Sequence, residues 1–233
     1  MEARGAALAW LGHINLLKLI VMNRWSSALV LEDDMDWDVS IRHQAPLIAK
    51  AVRELTKQTK HTRAPYGLSW DVLWMGHCSD PPNLEDPHVI FDDPNSIALK
   101  DYHGINRHVS TVLEEGQRSV HFSREPLCTF AYAVTAEGAK KVLRLAMQGK
   151  GGAFDLMLLQ ACRDKVFECI TVNPEVFDPY HPAEGATSEV FAADHNTTID
   201  HDVGGAMGWT DNIKNSARCA ALFGSTCPSV APP

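Results

Sequence analysis

The chain has no C-x-x-C pair, no H-x-H or H-E-x-x-H pattern and no nucleophile elbow. The first absence argues against a zinc ribbon or a thioredoxin-type motif. The second argues against a local histidine metal site, and the third leaves Ser-His-Asp and Cys-His catalysis without a signature. There is no internal repeat and no basic stripe. Lys and Arg number 21 against 29 Asp and Glu, a net charge of −8, which speaks against a dedicated nucleic-acid binder. Charged residues at 21% and hydrophobic residues at 45% exclude a disordered tail, a collagen-like chain and a polytopic membrane protein. A chain of 233 residues can bury a core that needs no disulfide or zinc staple.

Six cysteines are present, Cys78, Cys128, Cys162, Cys169, Cys219 and Cys227. They allow about 15 connectivities if all pair, and buried free thiols fit equally well. One sequon, Asn196-Thr197-Thr198, is compatible with a secretory lumen. Residues 6–22 are apolar enough to suggest a signal peptide or an anchor, but Arg4, His13, Asn15 and Lys18 interrupt or flank them. Ala7, Trp10, Leu11, Ile14, Leu17 and Val21 fall at helical spacing on one face. This pattern predicts an amphipathic helix of a soluble domain, with no targeting segment and no membrane span.

Further on, residues 28–31 and 71–76 read as buried strands, residues 42–59 as a helix and residues 79–118 as loops with short strands. Residues 128–135 read as a strand, with a helix starting at Ala136 and another over 154–163. Residues 168–172 read as a strand, 178–210 as a long loop, 212–222 as a last helix and 225–233 as a frayed tail. Strands alternating with helices predict a single α/β domain with a largely parallel sheet.

The sharpest chemical signal is Glu32, Asp33, Asp34, Asp36 and Asp38, five carboxylates within seven positions. They follow a strand, and ligands of open α/β sheets bind beyond the carboxyl ends of strands. Strand alternation would put Glu32 and Asp34 on one side and Asp33 on the other. Such a pair suits a hard divalent cation that also holds a diphosphate; the alternative is a solvated acidic turn. Asp155 is either the N-cap of its helix or a general base at the rim of a site. His181, between Tyr180 and Pro182, is a candidate ligand. Asp194, His195, Asp200, His201 and Asp202 form a weaker second cluster in a polar loop. Lys214 and Arg218, at i and i+4, could face a phosphate together. Trp70 and Trp74 belong to the core rather than to a sugar-stacking platform.

These residues carry a resemblance to glycosyltransferase family 25, most of all to its fungal members. It rests on four blocks: Gly5-Ala6-Ala7-Leu8-Ala9-Trp10-Leu11-Gly12-His13; Ala28-Leu29-Val30-Leu31-Glu32-Asp33-Asp34; the stretch from Phe130-Ala131-Tyr132-Ala133 to Gly138-Ala139-Lys140-Lys141; and Phe154-Asp155-Leu156 followed by Val172-Asn173-Pro174. The resemblance implies a GT-A-like, Rossmann-like fold with a mostly parallel sheet flanked by helices. It implies a nucleotide-sugar donor, usually a UDP-sugar, a divalent cation, commonly Mn2+, and inversion at the anomeric carbon. A glycan or glycoprotein would be the acceptor, and the Golgi or secretory lumen the compartment. Glu32, Asp34 and His181 would then be the metal ligands, with Asp33, Asp36, Lys214 and Arg218 on the donor and Asp155 as the base. A GT-A domain places a β-α-β stretch before the acidic strand, and here only one helix precedes it. The expectation is therefore a domain lacking its first βαβ unit, with weak donor binding and little activity. A non-catalytic remnant of such a domain and a metal-dependent phosphoesterase are the alternatives.

Overall fold

A computed structural model describes residues 4–58, 64–104, 109–149, 152–183 and 206–227. The sequon, the cluster from Asp194 to Asp202, most of the long loop and residues 228–233 lie outside the described residues.

The first helix, α1 (Arg4–Met22), leads into the edge strand β1 (Ser27–Leu31) and, after a tight turn, the short β2 (Met35–Trp37). Next come α2 (Ile41–Leu55), β3 (Val72–Gly76), β4 (His88–Asp92), the short α3 (Val109–Val112) and β5 (Gln117–Phe122). Strand β6 (Ala131–Thr135) runs straight into α4 (Ala136–Ala146). Helix α5 (Phe154–Arg163), β7 (Cys169–Asn173), β8 (Phe177–His181), β9 (Trp209–Thr210) and α6 (Ala217–Phe223) complete the described chain. The Thr135 hydroxyl accepts the Gly138 N–H at 3.0 Å, so the residue that ends β6 also caps α4.

Six strands form one sheet in the order β1-β6-β3-β7-β5-β4. Only β3 and β7 pair in parallel; β1–β6, β6–β3, β7–β5 and β5–β4 are antiparallel. The sheet is therefore mixed and largely antiparallel, which overturns the expected mostly parallel GT-A-like topology. Its physical origin lies in residues 79–135. The polar stretch read as loops with short strands supplies β4 and the start of β5, which pair as antiparallel neighbours, and β6 inserts between β1 and β3 in the reverse direction. β1 also differs from the fully buried strand expected of it. Among its residues only Val30 is buried, while Leu29 and Leu31 are exposed.

Alternation along β3 divides two cores. Val72 and Trp74 face α1, α4 and α5 with Leu17, Ile20, Val142 and Leu158. Leu73 and Met75 face α2 with Ile48, Val52 and Leu55. Each fully buried side chain of this size contributes about 1.5–3 kcal/mol. Trp70 and Trp74 are core residues, as expected, at 3% and 0% exposure. Helix α1 turns Trp10, His13, Ile14, Leu17, Ile20 and Val21 inward. Leu11, expected on that face, is exposed together with Leu8, Leu16, Leu19 and Met22. By length and composition α1 is long and apolar enough to cross a membrane.

The topology has one consequence for function. β1 and β3 both run antiparallel to β6, and β7 runs parallel to β3, so β1, β3 and β7 end on the same sheet edge. The turn after β1, residues 76–78 and residues 174–175 therefore open together. The small sheet β2-β8-β9 stands beside this edge.

Candidate functional site

Glu32, Asp33 and Asp34 occupy the turn between β1 and β2, not a continuation of the strand. Strand alternation therefore does not govern them. Glu32 turns toward α1 and α5, and Asp34 toward β8 and α6.

On the first side lies a chain of hydrogen bonds. The Thr129 hydroxyl donates to Glu32 Oε1 at 3.2 Å and lies 3.4 Å from His13 Nε2. Its single hydrogen is committed to Glu32, so His13 Nε2 is the donor to Thr129. His13 Nδ1 then accepts from the Tyr132 hydroxyl at 3.1 Å. His13 stacks on Phe154 with ring centroids 4.4 Å apart. Burial lowers its pKa to about 4, opposed by Asp155. Burial raises Glu32 to about 7, with Asp34 adding to the shift, Thr129 opposing it, and Asp33 and Asp155 adding further. Glu32 also donates its backbone N–H to Phe130 O at 3.0 Å.

Asp155 is not the cap of α5. Ala153 holds that position, and Asp155 sits in the first helical turn, where a carboxylate is favoured by the helix dipole. Its Oδ2 accepts the Cys128 N–H at 3.3 Å. Cys128 has a positive φ of 65°, rare for a residue with a Cβ, and is disulfide-bonded to Cys78.

On the second side, burial raises the Asp34 pKa, with Asp33 adding to the shift and His181 and Arg218 opposing it. The backbone oxygen of Asp34 accepts Tyr180 N–H at 2.9 Å. Its side-chain Oδ1 is buried and has no hydrogen-bond partner. His181 stacks on Trp209 at 5.1 Å and lies 3.6 Å from Asp211. The Arg218 guanidinium sits 5.0 Å over the Tyr180 ring. The structure thus brings together Glu32, Asp33, Asp34, Asp155, His181 and Arg218.

It does not bring in Asp36 or Lys214. Asp36 is 1% exposed. It accepts the N–H of Trp37, the N–H of Arg218 and the Ser216 hydroxyl, so it anchors the start of α6 rather than facing a ligand. Lys214 precedes α6, so it and Arg218 do not share a helix face. Its Nζ donates to Pro94 O at 2.7 Å.

Beside the turn opens a cleft of about 470 Å3 lined by His77, Phe130, Glu175, Asp178, His181 and Asp211 among others. Sequence reading missed His13, Thr129, His77, Glu175 and Asp178. Only the spacing Glu175-Val-Phe-Asp178 before Tyr180-His181 hinted at a second acidic group. Among the described residues no three His, Cys, Asp or Glu side chains are grouped to hold a metal ion. The chain matches no model of a known protein family, and no curated protein is similar to it.

Proposed function

We propose that the chain is a glycosyltransferase that uses a divalent cation to move a sugar from a nucleotide-sugar to an acceptor hydroxyl. The observation that carries this reading is Asp34, whose Oδ1 is buried without a hydrogen-bond partner, while the charges of His181 and Arg218 act on its carboxylate. A buried polar atom left unpaired costs about 1–3 kcal/mol, and a cation would supply the missing partner. Small divalent ions are commonly held by one or two carboxylates plus substrate phosphates. A single protein carboxylate, that of Asp34, can therefore serve when substrate phosphates complete the coordination. Asp34 would hold the cation, with Arg218 as the counter-charge to phosphate. The bound cation would neutralise the diphosphate leaving group.

The acid–base role falls to Glu32. A proton acceptor works best with a pKa near the operating pH, and Glu32 lies at about 7. Asp155 adds negative charge beside it and holds the Cys128 backbone, which makes it a positioning residue for Glu32. The sequence blocks that resemble glycosyltransferase family 25 supply the reaction class; the fold they imply is not retained. All six cysteines pair, as Cys78–Cys128, Cys162–Cys169 and Cys219–Cys227. Three disulfides support an oxidising, secretory compartment.

The test is calorimetric titration with a panel of nucleotide-sugars, with Mn2+ or Mg2+ and then with EDTA. Binding should require the cation, and Asp34→Asn should remove that requirement together with most of the affinity. Equal binding in EDTA, unchanged in the variant, would overturn the reading. Hydrolysis of simple phosphate esters without any response to nucleotide-sugars would favour a phosphoesterase.

A further inference from the structure

Strand β1 closes the large sheet at one end and pairs only with β6. The pairing fixes which of its backbone groups are spent. Glu32 N–H reaches Phe130 O at 3.0 Å and Ala136 N–H reaches Ser26 O at 2.9 Å, both in the register that sets Ala28 opposite Val134 and Val30 opposite Tyr132. In an antiparallel pair only alternate residues exchange bonds with the neighbour. Ala28 and Val30 therefore bond β6. The alternation holds on β6 as well, where Thr135 N–H turns to Asp71 O at 3.1 Å, away from β1. The N–H and C=O groups of Ser27, Leu29 and Leu31 thus point out of the sheet, and among the described residues no strand pairs with them.

The surface around this edge is apolar. Leu29 and Leu31 are exposed on one face of the sheet. On the other face Ala28 and Val30 pack with α1, whose outer side exposes Leu8, Leu11, Leu16, Leu19 and Met22. No charged residue falls between Trp25 and Leu31. An apolar edge strand with free backbone groups is a template for another strand. A lipid surface would cover the leucines but leave the outward N–H and C=O groups without partners. A second strand takes both.

We propose that β1 is a dimer interface, through which two copies of this chain join β1 to β1 antiparallel across a twofold axis at Leu29. Full overlap of the strands sets Leu29 opposite the partner's Leu29 and Ser27 opposite the partner's Leu31. These are the residues whose backbone groups are free, so the register that uses the whole strand also satisfies the outward donors and acceptors. That register is complementary in charge. Continued past the strand ends, it sets Ser26 beside the partner's Glu32 and brings the end that carries Arg24 to the partner's Asp33 and Asp34. The twofold repeats this contact on the other side, and because each copy has one such edge, assembly stops at the dimer. The dimer is independent of the transfer reading.

The experiment is sedimentation equilibrium of the intact chain, with amide hydrogen exchange read by NMR over a range of protein concentration. A monomer–dimer equilibrium is expected. Ala28 and Val30 should be protected at every concentration, whereas Leu29 and Leu31 should gain protection only as the dimer forms. Leu29→Pro removes an outward N–H and leaves the bonds to β6 in place, so it should weaken the dimer at least about tenfold. Leu29→Lys alters an exposed side chain and sets like charges opposite each other; it should weaken the dimer too, and decides the matter if the proline variant does not fold. Arg24→Glu should weaken it several-fold. A chain that stays monomeric at the concentrations NMR requires would overturn the proposal, as would species larger than a dimer, protection of Leu29 and Leu31 that ignores concentration, or an unchanged dimer in the folded variants. Binding of a monomeric chain to phosphatidylcholine–phosphatidylserine vesicles would overturn it in favour of a membrane. Failure of the transfer reading would show separately, as cation-independent or absent nucleotide-sugar binding.

Discussion

His13 and Glu32 share the hydroxyl of Thr129, which donates to Glu32 Oε1 at 3.2 Å and lies 3.4 Å from His13 Nε2. Burial moves the two groups in opposite directions along the pH scale, His13 down to about 4 and Glu32 up to about 7. Each is pushed toward its neutral form. A neutral histidine that donates through Nε2 and accepts at Nδ1 is the tautomer that the Tyr132–His13–Thr129–Glu32 chain requires.

This pairing predicts a masked pH dependence of stability. The folded pKa of Glu32 lies above its ordinary value of 4.5, so the fold loses stability as pH rises from about 4.5 through about 7. The folded pKa of His13 lies below its ordinary 6.5, so the fold loses stability as pH falls from about 6.5 through about 4. Over the shared window the two slopes oppose each other. Glu32→Gln should unmask acid lability and be more stable than the parent above pH ~7, by up to about 3 kcal/mol. His13→Gln should unmask the opposite slope. Urea unfolding of both variants between pH ~4.5 and ~7.5 is the measurement, and parallel, flat profiles would count against the pairing.

Asp36→Ala should detach α6 from β2. The carboxylate takes the Ser216 hydroxyl and the Arg218 N–H, and Ser216 in turn caps the helix by accepting Cys219 N–H at 2.9 Å. Removing a buried acceptor of this kind costs about 2–4 kcal/mol. Arg218 moves with the helix, so nucleotide-sugar affinity should fall along with the melting temperature. Asp36→Ala with unchanged affinity would separate the anchor from the site.

What was legible in the sequence was local. Helix α5 was read with its observed bounds, and β3 and the start of α4 came within a residue, because apolar period and capping chemistry are encoded nearby. Glu32, Asp34 and Asp155 stand out in the sequence as residue types able to carry metal or acid–base chemistry, and the structure sets them around the turn after β1 and the start of α5. Strand direction was not legible. The hydrogen-bond partner of β1 is β6, with Ser27 opposite Thr135, and nothing local to either strand specifies that they run antiparallel. The relay was hidden for the same reason. His13 looked like a polar interruption of an apolar helix, and its meaning depends on Thr129, 116 residues away. The ends of the supposed long loop, Phe177–His181 and Trp209–Thr210, are strands whose pairing with each other and with β2 joins distant segments.

Gly76→Ala should disturb the junction between the two sheets. A Cβ at this position would meet Phe177 O at 2.6 Å and the Ala131 Cβ at 3.0 Å. The first is backbone and cannot swing away, so β3 and β8 must part. Overpacking of this kind costs about 1–3 kcal/mol. Because β8 carries His181, nucleotide-sugar binding should weaken in parallel with the loss of stability. A variant as stable as the parent would show that the junction has slack.

The Cys78–Cys128 disulfide should matter to the site as well as to the fold. It closes a separation of 50 residues, and a loop of that length corresponds to about 4 kcal/mol in the chain-entropy account. Its position adds a second effect. Cys128 gives its N–H to Asp155 at 3.3 Å, Thr129 bonds Glu32, and Phe130 O takes the Glu32 N–H. Three consecutive residues therefore hold both Glu32 and its positioning residue Asp155, and the disulfide pins the first of the three to the end of β3. Cys78→Ser with Cys128→Ser should lower the melting temperature and also bring the pKa of Glu32 down toward its ordinary value as the turn opens to water. The second effect is read by NMR titration of the Glu32 carboxyl. A double variant that melts earlier but keeps Glu32 at about 7 would mean that the disulfide stabilises the fold without shaping the site.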